Sequence, residues 1–148
     1  MYDKLLVPID GSESSDKALD KAIELGKEFG SEIYVLSVIH DAYIMRATST
    51  TAHYGVAASQ TANQEVINNA KKILNDAEKK FENYDFPHYT ISVIGDAAQE
   101  IMKLAQKNDI QLIVMGNRGI GAFSRTILGS VSNKVVNSSP ISVLVVKD

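Results

Sequence analysis

The sequence predicts a doubly wound α/β domain, a five-stranded parallel sheet with helices on both faces, and three observations carry that prediction. Short apolar runs rich in β-branched residues alternate with segments whose apolar residues recur every three or four positions. Glycine, proline or a potential capping residue punctuates most junctions. The chain has 148 residues, the size of one domain, so residues 1–148 are read as a single unit. Parallel neighbours need crossover connections, and such crossovers are helical, so the alternation and the parallel sheet imply each other.

Leu5-Leu6-Val7-Pro8-Ile9 reads as the first strand, with Pro8 marking where the ladder ends because proline has no amide to donate. Asp10-Gly11-Ser12-Glu13-Ser14 is a turn. Ala18, Ala22, Leu25 and Phe29 then place one face of a helix against the core, with Ser14 as its cap and Gly30 as its stop. Ile33 to Ile39 is the second strand. Residues 41 to 61 have no clean period and read as a long loop with room for a helical turn, a candidate lid over a site.

Val66, Ala70, Ile73 or Leu74, Ala77 and Phe81 make the stripe of a long helix, ended before Pro87. His88 to Ile94 is the third strand, and its mixed Tyr89, Thr90, Ser92 pattern suits a sheet edge. Asp96 stands three residues before Gln99, the capping-box spacing, ahead of a short helix with Ala98, Ile101 or Met102, and Ala105 inward. Ile110 to Met115 is the fourth strand. A last helix carries Val131, Val135 and Val136 as its apolar residues, and Pro140 to Val146 is the fifth strand.

Composition narrows the partners. Fifteen basic against 18 acidic residues give a net charge of -3, which offers no bulk attraction to nucleic acid. The absence of cysteine excludes disulfides, thiolate metal sites and a cysteine nucleophile. The chain runs from Met1-Tyr2-Asp3-Lys4 straight into a strand, and no apolar stretch approaches 18 residues. The expectation is a cytoplasmic protein with no membrane partner.

In doubly wound sheets ligands sit beyond the carboxyl ends of the strands, where the strand order reverses. Gly116-Asn117-Arg118-Gly119, nine residues, then Gly129-Ser130 at the start of the last helix is the sharpest feature there. Glycines let backbone amides approach a ligand, and a helix amino terminus presents unpaired amides and a positive dipole end to an anion. Ser130 and Ser132 add hydroxyls. A phosphate chain fits such a loop, although glycines also serve as plain turn formers. The pattern G-x-x-x-x-G-K-[ST] is absent, and G-x-G-x-x-G does not follow the first strand. Asp10 can meet base, ribose or Mg²⁺, or close its own turn. Arg118 can neutralise phosphate or face solvent, and Arg125 carries the same ambiguity. His40, His53 and His88 are too scattered to predict a metal site, and no G-x-S-x-G elbow surrounds a serine, so no catalytic residue is assigned.

These residues resemble a known family. Leu5-Leu6-Val7-Pro8-Ile9-Asp10-Gly11-Ser12, Gly95-Asp96, and Val114-Met115-Gly116-Asn117-Arg118-Gly119 with Gly129-Ser130-Val131-Ser132 look like the universal stress proteins over essentially the whole chain. The resemblance implies a Rossmann-like fold similar to the adenine nucleotide alpha hydrolases. In that family, glycine, two residues, glycine, nine residues, glycine and Ser/Thr goes with ATP binding. It implies phosphate contacts at Gly119, Gly129, Ser130, Val131 and Ser132, with Arg118 beside them. Met115 and Gly116 would border ribose and base, Pro8 and Asp10 would close the nucleoside side, and the Val38 backbone would lie beside adenine. It also implies a homodimer paired through the last strand, which gives that apolar edge a partner.

The leading expectation is an ATP-binding regulatory or stress-response protein, with Mg²⁺ as an accompanying ion. A slow ATP hydrolase or a phosphoryl or adenylyl transferase is the enzymatic alternative. A nucleotide-independent interaction module is the other.

Overall fold

The computed structural model describes residues 1–41, 56–119 and 128–148, those of 56–62 by backbone alone. Strands β1 (Lys4–Pro8), β2 (Glu32–His40), β3 (His88–Gly95), β4 (Leu112–Gly116) and β5 (Ser142–Val146) form one parallel sheet in the order β3-β2-β1-β4-β5. Between them run helices α1 (Glu13–Phe29), α2 (Val56–Glu78), α3 (Ala97–Lys107) and α4 (Ser130–Ser138). The expected five-stranded, doubly wound sheet is therefore observed.

The period-two alternation of the central strands sorts the core into two layers. Leu5, Val7, Ile33, Val35 and Val114 pack with Ala18, Leu19 and Ala22 of α1 and Ala77 of α2. Leu6, Leu36, Ile113 and Met115 face the other way, onto Ala98, Ile101 and Ala105 of α3 and Val135 of α4. Burial on both faces, worth about 25 cal/mol per Å² of apolar surface, requires the continuous apolar runs Leu5–Val7 and Leu112–Met115, all of which are buried.

Four local expectations need correction. Ser12, not Ser14, caps α1: its extended backbone lets its hydroxyl accept from the Ser15 amide at 3.1 Å, while Ser14 is already helical and buried. The α1 stripe runs through Leu19, Ile23 and Gly26, and Phe29 is 43% exposed with its ring edge on Tyr2. In α4, Val135 is buried and Val131 partly so, but Val136 is exposed. The helix expected from Val66 begins at Val56, so residues 56–61 of the presumed loop are helical. Residues 42–55, and with them the lid expectation, lie outside the described residues, as do His53 and Arg125.

The other strand boundaries hold to within two residues, β4 running Leu112–Gly116 instead of from Ile110 and β5 starting at Ser142 instead of Pro140. Gly30 ends α1 with φ +68°, a left-handed conformation that favours glycine. Asp96 caps α3 by accepting from the Gln99 amide at 3.1 Å. The mixed third strand is at the sheet edge, and β5 forms the opposite edge.

Candidate functional site

The strand order reverses at β1, whose neighbours β2 and β4 are reached by crossovers leading to opposite sides. The β1–β4 ladder runs only through Leu5↔Leu112 and Leu6↔Ile113, whereas β4 continues to Gly116. Pro8 has no amide with which to extend it. On the other side, the Ile9 amide donates to the Leu36 carbonyl at 2.8 Å, the last link between β1 and β2. Beyond it Val38, Ile39 and His40 continue to pair with β3 alone. Backbone groups of residues two apart point the same way in a parallel strand, so the N–H and C=O of Val38 face the crevice that β1 has vacated.

A cavity of about 890 Å³ occupies that crevice. Every residue assigned to a nucleotide from the sequence lines it: Pro8 at the end of β1 and Asp10 just beyond it, Val38 on β2, Met115 and Gly116 at the end of β4, Arg118 and Gly119 in the loop after it, and Gly129 through Ser132 at the start of α4. A further wall, not evident from the sequence motifs, comes from α2, where Glu65, Val66, Asn69, Ala70 and Ile73 also line the cavity. Of these, Val66, Ala70 and Ile73 had the spacing of a core stripe. The Ile73 Cδ1 lies 3.1 Å from where a Cβ on Gly11 would stand, which seats α2 on the turn after β1 and sends its preceding turns out over the cavity.

At the phosphate-like end, Gly119 and Gly129 come together: a Cβ on Gly129 would lie 3.4 Å from the Gly119 nitrogen. Gly129 caps α4 without a side chain, and no acidic residue stands in the first turn. Helix geometry leaves the amides of Ser130, Val131 and Ser132 without intrahelical acceptors, at the positive end of the α4 dipole. This is an anion-binding arrangement.

The glycines serve different ends, however. The Gly129 amide itself donates to the Asn117 carbonyl at 2.7 Å and is not available to a ligand. Gly116 is glycine because a Cβ there would stand 2.3 Å from the Ser14 hydroxyl and 2.7 Å from the Ser14 carbonyl carbon. A Cβ on Gly119 would meet the Asp10 Oδ2 at 2.7 Å. Asp10 closes its own turn, its Oδ1 accepting from the Ser12 amide at 2.9 Å, and it also lines the cavity.

The Ser132 hydroxyl donates to the Gly116 carbonyl at 2.8 Å, so its proton is committed within the protein. Arg118 reaches Asp148 with its guanidinium. Buried Asn117 went unnoticed in the sequence; its side-chain Oδ1 accepts from Ser14 at 2.9 Å and its amide donates to Val146 at 3.1 Å. His40 lines the cavity, paired with Asp41 at 3.2 Å. Among the described residues no three His, Asp or Glu side chains are placed to hold a metal ion, and no helix is long and apolar enough to cross a membrane.

Known proteins share the fold. YxiE, a universal stress protein of Bacillus subtilis, is 37% identical over 151 residues, spanning 99% of this chain and 100% of YxiE. The solved structure of MJ0577 from Methanocaldococcus jannaschii superposes with a TM-score of 0.83 at 28% identity, covering 100% of this chain and 97% of that one. A universal stress protein from Archaeoglobus fulgidus, solved in complex with dAMP, shares the fold with a TM-score of 0.70 at 20% identity, covering 99% and 98%. The model of the universal stress protein family matches residues 1–147. The chain therefore belongs to the universal stress protein family.

Proposed function

We propose that this protein binds an adenine nucleotide, ATP foremost, and acts as a nucleotide-dependent regulatory or stress-response protein. The observation that carries the proposal is the placement, around one cavity, of the open Val38 backbone at one end and the uncapped start of α4 at the other. Adenine offers an acceptor at N1 beside a donor at N6, which complements one N–H and one C=O of a single residue. Guanine offers the reverse pair. Ribose then falls between Asp10 and Met115, and the phosphates meet the amides of Gly119, Ser130, Val131 and Ser132. The dAMP complex of the Archaeoglobus fulgidus protein supports an adenine nucleotide as the ligand class.

Mg²⁺ would accompany the phosphates, with Asp10 the carboxylate at that end of the cavity. Binding is favoured over turnover because efficient phosphoryl transfer wants an oriented base and a free cation. Here Asp10 closes its own turn and Arg118 is ion-paired. The protein is further proposed to be a cytoplasmic homodimer joined along β5, whose apolar outer residues end the sheet.

Calorimetric titration with ATP, ADP, AMP and GTP, with and without Mg²⁺, tests the proposal. Saturable binding of ATP in preference to GTP is expected. Absence of binding by every adenine nucleotide would overturn it.

A further inference from the structure

Arg118 stands between two spaces. Its Cα lies 3.4 Å from where a Cβ on Gly129 would stand, next to the first turn of α4. Its side chain borders the main cavity and also a second cleft of about 390 Å³, shared with Glu13, Lys17, Asn117, Lys147 and Asp148. The Nη2 group is ion-paired with the Asp148 carboxylate, and the two side chains are only 21% and 20% exposed. The Nε is buried and lacks a hydrogen-bond partner among the described residues. Asp148 follows β5, whose Val146 carbonyl accepts from the Asn117 amide of the same glycine loop.

We infer that Asp148 is a specificity-determining residue that acts through Arg118, setting how strongly the site favours longer phosphate chains. The inference rests on the adenine-nucleotide proposal and names a control of the same site. An arginine is charged at every working pH, so only an anion competing for it can change its partner. While Asp148 holds the guanidinium, the phosphate end offers amide hydrogens and a helix dipole, and among the described residues lining it the added charge of a triphosphate meets no other arginine or lysine. Attraction to a full cation grows with each phosphate charge. Drawing Arg118 toward the phosphates would strand Asp148 in a largely buried position, which opposes the exchange. The site as built therefore favours ATP over AMP less strongly than it would with Arg118 released from Asp148. The unpartnered Nε is a donor that a phosphate oxygen would satisfy once the pair is released.

The test measures affinities for ATP and AMP by calorimetry in the wild type, Asp148→Asn, Asp148→Ser, Asp148→Glu, Arg118→Gln and the Asp148→Asn/Arg118→Gln double variant. In Asp148→Asn the ATP-over-AMP preference should rise roughly tenfold, the scale of one charge-assisted phosphate contact. Asp148→Ser should repeat that rise, and Asp148→Glu should restore the wild-type ratio. In the Arg118→Gln background the Asp148 substitution should no longer move the ratio. An unchanged ratio in Asp148→Asn and Asp148→Ser, or an equal rise without Arg118, overturns the inference while leaving nucleotide binding intact. A wild type that binds no adenine nucleotide overturns the underlying proposal and this inference with it.

Discussion

The Ser132 hydroxyl donates to the Gly116 carbonyl at 2.8 Å, fastening the first turn of α4 to the last residue of β4. Ser132→Ala leaves that carbonyl unsatisfied in a buried position, so unfolding free energy should fall by about 1–2 kcal/mol. Urea denaturation reads the loss. ATP binding should survive, because the main-chain amide of residue 132 remains.

Ser130→Asp should separate stability from binding in the opposite sense. A carboxylate in the first turn of α4, which has no acidic residue, should stabilise the protein by about 0.3–1 kcal/mol through the helix dipole. The same charge occupies the place proposed for phosphate, so ATP titration should show affinity lost. A variant that is more stable and still binds ATP would refute the phosphate position.

The glycines of the loop should not respond alike. Gly116→Ala drives a methyl group into the Ser14 backbone, and overpacking of this kind costs about 1–3 kcal/mol or more. Gly129 has φ -59° and ψ 164°, with its nearest would-be contacts at 3.4 Å, so Gly129→Ala should keep stability within about 0.5 kcal/mol of wild type. Parallel denaturation curves of the two variants check the contrast.

Tyr84 makes the alkaline limit of stability predictable. Its hydroxyl donates to the buried Ser31 carbonyl at 2.5 Å, and burial pushes its pKa up to about 12 from 10.0. The folded state holds this proton more tightly than the unfolded chain does. Its contribution is therefore complete below pH 10.0 and is lost as pH rises toward about 12. Tyr84→Phe should lower stability at pH 7 by about 1–3 kcal/mol and flatten the decline above pH 10. Denaturation midpoints across that range test both effects.

The β5 edge carries Leu144, 36% exposed, on a strand with a partner on one side only. Wild-type protein should sediment as a dimer at micromolar concentration, and Leu144→Lys should sediment as a monomer with its helical content unchanged. A monomeric wild type would remove the dimer from the proposed function.

The fold was legible because β1 and β4 are buried on both faces and must be apolar throughout, while α1 and α3 show their inward stripes at helical spacing. The start of α2 was not, since Val56 to Thr61 is rich in small residues that give no apolar period. Ser12 and Ser14 have equal capping chemistry, and the choice between them depends on where the turn after Pro8 releases the chain. The cavity's loop side could be read from the glycine spacing. Its α2 side could not, because Glu65 and Asn69 look like any polar helix face until the crossover places them over the sheet. The destinations of Arg118 and Ser132 depend on contacts with residues outside the motif's pattern, which spacing alone does not reveal.

Asn117 spends its amide on Val146, its carbonyl on Gly129 and its side-chain oxygen on Ser14, three groups in three directions. The end of β5, the head of α4 and the head of α1 are thus knotted at one residue. Fluctuations that open any of them must break the shared node, so the hydrogen-bonded amides of Asp16, Asn117, Gly129 and Asn133 should exchange with solvent together, as one cooperative unit, and not by independent fraying.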